Sequence, residues 1–460
     1  SAGDALTSGY DNILMGQNAG GAITTANKTV FIGTNAGLAV TVTQGSNISD
    51  GTVGIGYDSL KALTTGQDNV AIGRNSMVTN TNSSYNTAIG QGSMWNTNGG
   101  NGANTAVGNL AMLANTTGAT NTAVGDNASR LNETGVNNTA VGRTALYSNQ
   151  TSRNTAVGLS AGYTTTGADN TYVGFNAGYG GSGAEVSNVG VGANALLAIT
   201  TGTINVAVGY DALKANTTGG GNTAIGRESM KSNTTANYNT AVGVSSLLSN
   251  VTGSQNTAVG QAALKDNLGD NNTAIGTNAL ENNTEGDGNV ALGTSAGASL
   301  TTGDSNILIG YLAGDGFDAE DNNIAIGNGA FGGAVNGADH CIVMGTDAVA
   351  GAATQDGTIA IGKDALNALT SGPGNLAIGF EALKLNATAG YNLAIGDSAM
   401  SASTAMTNTV AIGYQAMGGQ RDGDYNTVLG NKAMASPGNN RNPSHNVAIG
   451  YAAYKNCTLN

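Results

Sequence analysis

Imidazole and thiol are scarce in this sequence: His340, His445, Cys341 and Cys457 are the only four such side chains in 460 residues. Asp339, His340 and Cys341 stand side by side and carry metal-ligating groups. Neighbours along an extended chain point to opposite faces, however, and no second cluster completes a tetrahedral shell, so no metal is expected. Nucleophilic catalysis by serine, threonine or cysteine needs a base within hydrogen-bond reach, and the shortage of histidine removes the commonest one. Carboxylates remain. Asp315, Asp318, Glu320 and Asp321 form the densest acidic run. Such a run can bind a cation or act on a sugar linkage, and its plainer reading is a solvated turn. Trp95, the only tryptophan, is a candidate for stacking on a sugar ring. Tyr10, Tyr57, Tyr85, Tyr163, Tyr172, Tyr179, Tyr210 and Tyr238 fall at varied places and suit scattered surface contacts. Asp315, Asp318, Asp321 and Trp95 are therefore candidate surface-binding residues, with no catalytic residue and no cofactor expected.

The scaffold that holds these groups is unusual in composition. Glycine supplies 73 residues and asparagine 60, proline only three; hydrophobic residues make up 40% and charged ones 10%. Disorder goes with low hydrophobicity, high charge and abundant proline, so repetition accounts for this bias better. A net charge of -13 and a pI near 4.4 disfavour phosphate backbones, which call for clustered lysine and arginine, and no nucleic-acid partner is expected. No stretch approaches the roughly 18 apolar residues of a membrane-spanning helix, and no basic n-region followed by an apolar h-region opens the chain, so no membrane insertion is expected in this segment. Ser1 in place of an initiator methionine suits a processed chain or a piece of a longer one.

The repeat is continuous. A glycine preceded by Ile, Val, Leu or Met recurs 26 times, from Gly16 and Gly33 to Gly450, at spacings of 16 to 18 residues except before Gly56 and Gly450. Three residues after it comes Ala or Ser in all 26 copies; four before it comes Asn in 21, and two before it Ala in 18. The columns are represented by Asn69, Gly73 and Ser76, by Asn104, Gly108 and Ala111, and by Asn256, Gly260 and Ala263. Thr105-Ala106-Val107 alternates with the period of a strand, so Ala106 faces opposite to Thr105 and Val107. Gly108 ends that strand by its freedom to take positive φ. The segment around Ala111 and Met112 is expected to form a second short strand, and a second glycine, as at Gly66, Gly118, Gly135 and Gly202, to close the other turn.

Glycine, asparagine, threonine and valine every few residues leave no window for a helix. The expected fold is therefore all-β: one continuous parallel β-solenoid over residues 1–460, with about 26 coils of about 17 residues, each stabilised by its neighbours. Stacked coils give the Asn column a purpose, since identical amides about 4.8 Å apart can donate and accept along a ladder. The Ala/Ser column marks close approach, either across the thin interior or between chains. Cys341 and Cys457 lie six to seven coils apart, about 30 Å, far beyond the reach of a disulfide.

The unit Asn-x-Ala-Ile-Gly-x-x-(Ala/Ser), as in residues 69–76 and 222–229, resembles the head repeat of trimeric autotransporter adhesins. Runs such as Asn121-Thr-Ala-Val-Gly, followed by Ala-Leu and Asn-Thr-Thr-Gly, are similar to the shafts of phage tail fibres that end in a self-cleaving intramolecular chaperone. The resemblance spans essentially the whole chain. It implies a left-handed β-roll, a side-by-side homotrimer, a place outside the cell on a bacterial surface or virion, and attachment to a host-cell receptor or glycan. Its coil is longer than that of the adhesin heads, which places the extra residues in an outer turn. Departures from the repeat, at 38–51, 179–187, 314–321 and 435–445, are the loops best placed for specific binding. The last holds Pro437 and Pro443, and 435–460 suits the approach to another module. Competing readings are a polysaccharide-processing solenoid enzyme, with Asp318 or Asp321 essential, and a matrix or ice-binding filament.

Overall fold

The computed structural model describes residues 1–41, 50–99, 102–181, 183–435 and 444–454. Its contacts group into two units, Ser1–Thr235 and Ala236–Asn460. Among the described residues each unit is a parallel β-solenoid with thirteen three-residue strands, from Ile13–Met15 to Thr223–Ile225 in the first and from Thr240–Val242 to Val447–Ile449 in the second. Among the described residues there is no helix. Successive strands pair in register, one coil apart: Thr105 with Thr122, Ala106 with Ala123, Val107 with Val124.

The middle residue of each strand points inward. Ala106 is fully buried, as are Ala111 and Met112 of the same coil, while Thr105 and Val107 face out. The Ala/Ser column thus lies in the interior of a single chain. Ala263 and Ser76 are buried there, and the Ser76 hydroxyl is 3.1 Å from the carbonyl of Ala88 and 3.0 Å from Ser93 Oγ.

The second strand expected around Ala111 and Met112 does not form. That segment is a run of turns in which alternate residues are left-handed, with φ of 54° at Leu110 and 50° at Met112. Its amides bond to neighbouring coils on both sides: Leu110 N–H donates to Gln91 O and Met112 N–H to Ala128 O, each at 2.9 Å. The left-handed region costs an L-residue about 1–2 kcal/mol. Asn and Asp tolerate it best, and they, with Ser, often fill the first of these positions, as at Asn127, Asp211 and Ser245. Leu or Met often fills the second, where burying its side chain returns about 1.5–3 kcal/mol.

The two glycine columns serve different ends. Gly108 has a φ of 139°, and a Cβ there would strike the carbonyl of Gly125 in the next coil. Gly66 has no such φ; a Cβ on it would run into the carbonyl of Ser83. Stacking distance, not backbone conformation, requires this second glycine.

The Asn column forms its ladder mainly through the backbone. Asn104 donates its N–H to Asn86 Oδ1 at 3.1 Å, accepts from the Asn121 N–H at 2.9 Å, and donates Nδ2 to Gly118 O at 2.9 Å. Amide-to-amide bonds add to this, as from Asn121 Nδ2 to Asn104 Oδ1 at 3.2 Å. Each side chain therefore ties its coil to both neighbours. Asn69 and Asn256 sit buried in the same way.

Candidate functional site

The acidic run divides among three surroundings. Asp318 and Glu320 line a cleft of about 490 Å³, with Asn336, Gly337 and Asp339 contributed by the next coil. Glu320 is 3% exposed, and both its oxygens are engaged. Oε2 accepts from the Asp318 N–H at 2.7 Å and the Ala319 N–H at 3.1 Å, and Oε1 accepts from the Gly337 N–H at 2.9 Å. Asp318 is exposed at the edge. Asp315 is half-buried, does not line this cleft, and has its carboxyl held above the usual range by burial.

Asp321 belongs to a different arrangement, a file of aspartates six residues before the coil glycine. Asp270, Asp287, Asp304, Asp321, Asp339 and Asp356 occupy that place in successive coils. Each of the last five accepts, on Oδ1, the amide N–H of the aspartate one coil earlier, at 2.6, 2.7, 2.7, 2.8 and 3.0 Å in order. Asp270 closes the file on the Ser254 N–H at 2.6 Å. The file gathers like charges at about the strand spacing of 4.8 Å along one edge. Asp recurring at a fixed offset was the sequence signal for it; the local density of acids at 315–321 was not.

Trp95 is half-buried, five residues after its coil glycine. Leu113, Arg130, Tyr147, Tyr163 and Tyr179 hold the same place in the following coils. The three tyrosine rings stack at 4.9 and 5.0 Å, and the Arg130 guanidinium lies 5.8 Å from the Tyr147 ring while Nη1 donates to its hydroxyl at 2.9 Å. Tyr163 and Tyr179 are thus members of an ordered file and not scattered contacts. Tyr172 is a correction of another kind, because it is fully buried in the core and touches no solvent. Further along, the same column carries lysines paired with an acid three residues back, as Lys214 with Asp211 at 3.0 Å and Lys384 with Glu381 at 2.8 Å.

The strand face itself is the most uniform surface. The residue before the coil glycine is apolar in all 26 copies yet faces outward, with Ile89, Val124 and Val157 each 37% exposed. Beside it run aligned threonines, Thr87, Thr105, Thr122, Thr139, Thr155 and Thr171, in successive coils of the first unit.

His340 is exposed, whereas Cys341 is a free, buried thiol whose pKa burial raises. His445 stacks on Tyr425 at 5.0 Å. Among the described residues no group of three or more His, Cys, Asp or Glu side chains is placed to hold a metal ion, and no helix is long and apolar enough to cross a membrane. Cys457, Pro437, Pro443 and most of the departures at 38–51 and 435–445 lie outside the described residues. No protein family model, curated protein or solved structure matches the chain.

Proposed function

We propose that this chain is the shaft of a homotrimeric adhesive fibre, exposed outside the cell on a bacterial surface or virion, that attaches to a receptor or glycan. The outward apolar column carries the reading. An exposed position under no constraint drifts to Lys, Glu or Asn, yet this one admits only Ile, Val, Leu or Met from Met15 to Ile449. Contiguous apolar surface of that kind is unusual on a soluble monomer and marks an interface. A second and third copy of the same chain carry the same coil repeat and can match it rung by rung. The resemblance to adhesin heads and tail-fibre shafts supports the count of three. Glu320 supports a structural role over an enzymatic one, since three amide donors take most of its roughly four lone-pair sites and fix it as a buried link between two coils.

The Trp95 to Tyr179 file and the cleft at Asp318 are the surfaces offered to a receptor or glycan. Sedimentation equilibrium at micromolar concentration should give three times the chain mass, and a monomer would remove the trimer. Glycan-array and whole-cell binding should show retention that Trp95→Ala weakens. The aligned threonines favour a second reading, ice binding by a flat Thr-bearing face. Thermal hysteresis that Thr122→Lys and Thr139→Lys abolish would support it, and hysteresis near zero would dispose of it.

A further inference from the structure

Two glutamates interrupt the inner glycine column, and their surroundings are opposite. Glu185 and Glu320 stand seven residues before their coil glycines, where Gly167, Gly202 and Gly303 occur in neighbouring coils. Both are buried. Glu320 has the three amide donors that a buried carboxylate needs in place of water. Glu185 gathers its donors on one side: Oε1 accepts the Thr166 N–H at 3.1 Å, the Thr166 hydroxyl and the amides of Gly167 and of Glu185 itself interact with the carboxyl, and Oε2 is buried without a partner.

The shortage is local and repeated. Thr165 Oγ1 is also buried without a partner, and the buried Tyr172 hydroxyl has only a weak interaction with Asn188. The two side chains adjoin, since a Cβ on Gly162 would stand 2.9 Å from Thr165 Oγ1 and 3.2 Å from the ring carbon Tyr172 Cδ2. Tyr172 is within electrostatic reach of Glu185. The groups that face Glu185 are Thr166, Gly167 and Tyr172, and none is a cation. Burial pushes the Glu185 carboxyl up to about 7 and raises the Tyr172 phenol too, so that phenol stays protonated. A neutral acid can remain in this place; an ionised one with an oxygen buried and unpartnered cannot do so cheaply.

We propose that Glu185 is a proton-operated latch in the first unit, closing its coil when protonated and, on releasing the proton to solvent, letting the turn at 183–187 open to water. Opening hydrates the carboxylate, frees the Thr166 N–H and releases the Asn170 Nδ2 bond to Glu185 O, while the rung from the Asn188 N–H to Asn170 Oδ1 stays in place. Local opening of one turn, not global unfolding, is the cheaper response. The sign follows from linkage. The folded carboxyl titrates near 7 and the opened one near its ordinary value of about 4.3, so opening is favoured as pH rises between those limits and levels off above 7.

Amide hydrogen exchange on the whole chain, corrected for intrinsic rates, tests this. Peptides covering 164–168 and 183–188 should lose protection by up to about tenfold per pH unit between pH 5 and 7, then plateau. A peptide covering 104–125, which has no buried carboxyl, serves as the internal reference and should stay level. Glu185→Gln should flatten the profile, as should Glu185→Gly, which restores the residue carried by neighbouring coils. A level profile in the unaltered protein overturns the latch, and so does a pH-dependent profile that survives both substitutions.

Discussion

The ring of Tyr172 fills the space a side chain on Gly178 would need: a Cβ on that glycine would stand 2.5 Å from three of the ring carbons. Tyr172 occupies the column that is usually Ala, and Gly178 the column that is often Leu or Met. The same exchange of bulk occurs between Phe31 and Gly37 and between Leu308 and Gly314. Each coil thus keeps its core volume while varying which side supplies it. Tyr172→Ala should cost about 3–5 kcal/mol as a cavity, and Gly178→Leu about 1–3 kcal/mol as overpacking. Leu is compatible with the backbone there, because Leu196 holds the equivalent place at a φ of 54°. The double variant should therefore melt well above the sum of the two losses. Additive losses in a thermal or denaturant melt would mean that the two columns do not share one volume.

The interior column three residues after the glycine gives a paired test. Ala263 is fully buried, whereas Gln261, two residues earlier, is exposed. Ala263→Leu should lower stability by about 1–3 kcal/mol, and more where the displaced coil loses registry with both neighbours. Gln261→Lys should stay within about 0.5 kcal/mol. Equal melting temperatures would contradict the burial of this column.

Much of this architecture is legible in the sequence because parallel, in-register stacking places the same column of every coil at the same point in space. Asn104, Gly108 and Ala111 can be assigned from recurrence alone. What recurrence cannot supply is conformation. Ala111 and Met112 look like strand residues, and bulky residues are rarely left-handed, so the turn they occupy becomes visible only when its hydrogen bonds to adjacent coils are seen. Single-copy exceptions are hidden for the opposite reason. Tyr172 is the one tyrosine in its column and Glu185 one of two glutamates in its own, which in the sequence is indistinguishable from drift, and only their shared burial relates them. The acidic run at 315–321 misleads in its own way, since chain proximity groups side chains that the coil then sends to separate faces.

The aspartate file should respond to charge removal. Neighbouring carboxylates about 5 Å apart repel by roughly 1 kcal/mol in water, less with salt. Asp304 accepts the Asp287 N–H at 2.7 Å through Oδ1, a bond an amide oxygen can also accept. Asp304→Asn should therefore raise the melting temperature at low ionic strength and make it less dependent on salt. A lower melting temperature at every salt concentration would show that the hydrogen bond to a charged acceptor outweighs the repulsion.

Global stability should carry the Glu185 signature with a defined sign. Its carboxyl is raised to about 7, so its contribution is fully present below about pH 4.3 and is lost as pH rises toward 7. Glu185→Gln should gain most over the unaltered chain at pH 8 and least at pH 5, by a few kcal/mol at most. Melts across that range check it; a difference that grows toward pH 5 would reverse the assignment of which form the core holds.

The outward apolar column separates assembly from folding. Val259 lies on the open face of Thr257–Val259, flanked in the ladder by Val242 and Ile275. In an isolated chain Val259→Lys changes a half-exposed position and should cost within about 0.5 kcal/mol, since the long side chain can reach water. Within an interface the same ammonium would be trapped against apolar surface without a counter-ion, a loss of several kcal/mol repeated in each copy. Val259→Lys should accordingly dissociate the assembly at concentrations where Gln261→Lys leaves it intact, while both keep the strand signal in circular dichroism. Sedimentation velocity of the two variants reads this directly. If Val259→Lys and Gln261→Lys sediment alike, the strand face is free in the assembly, and the constraint on its apolar column must come from within the chain.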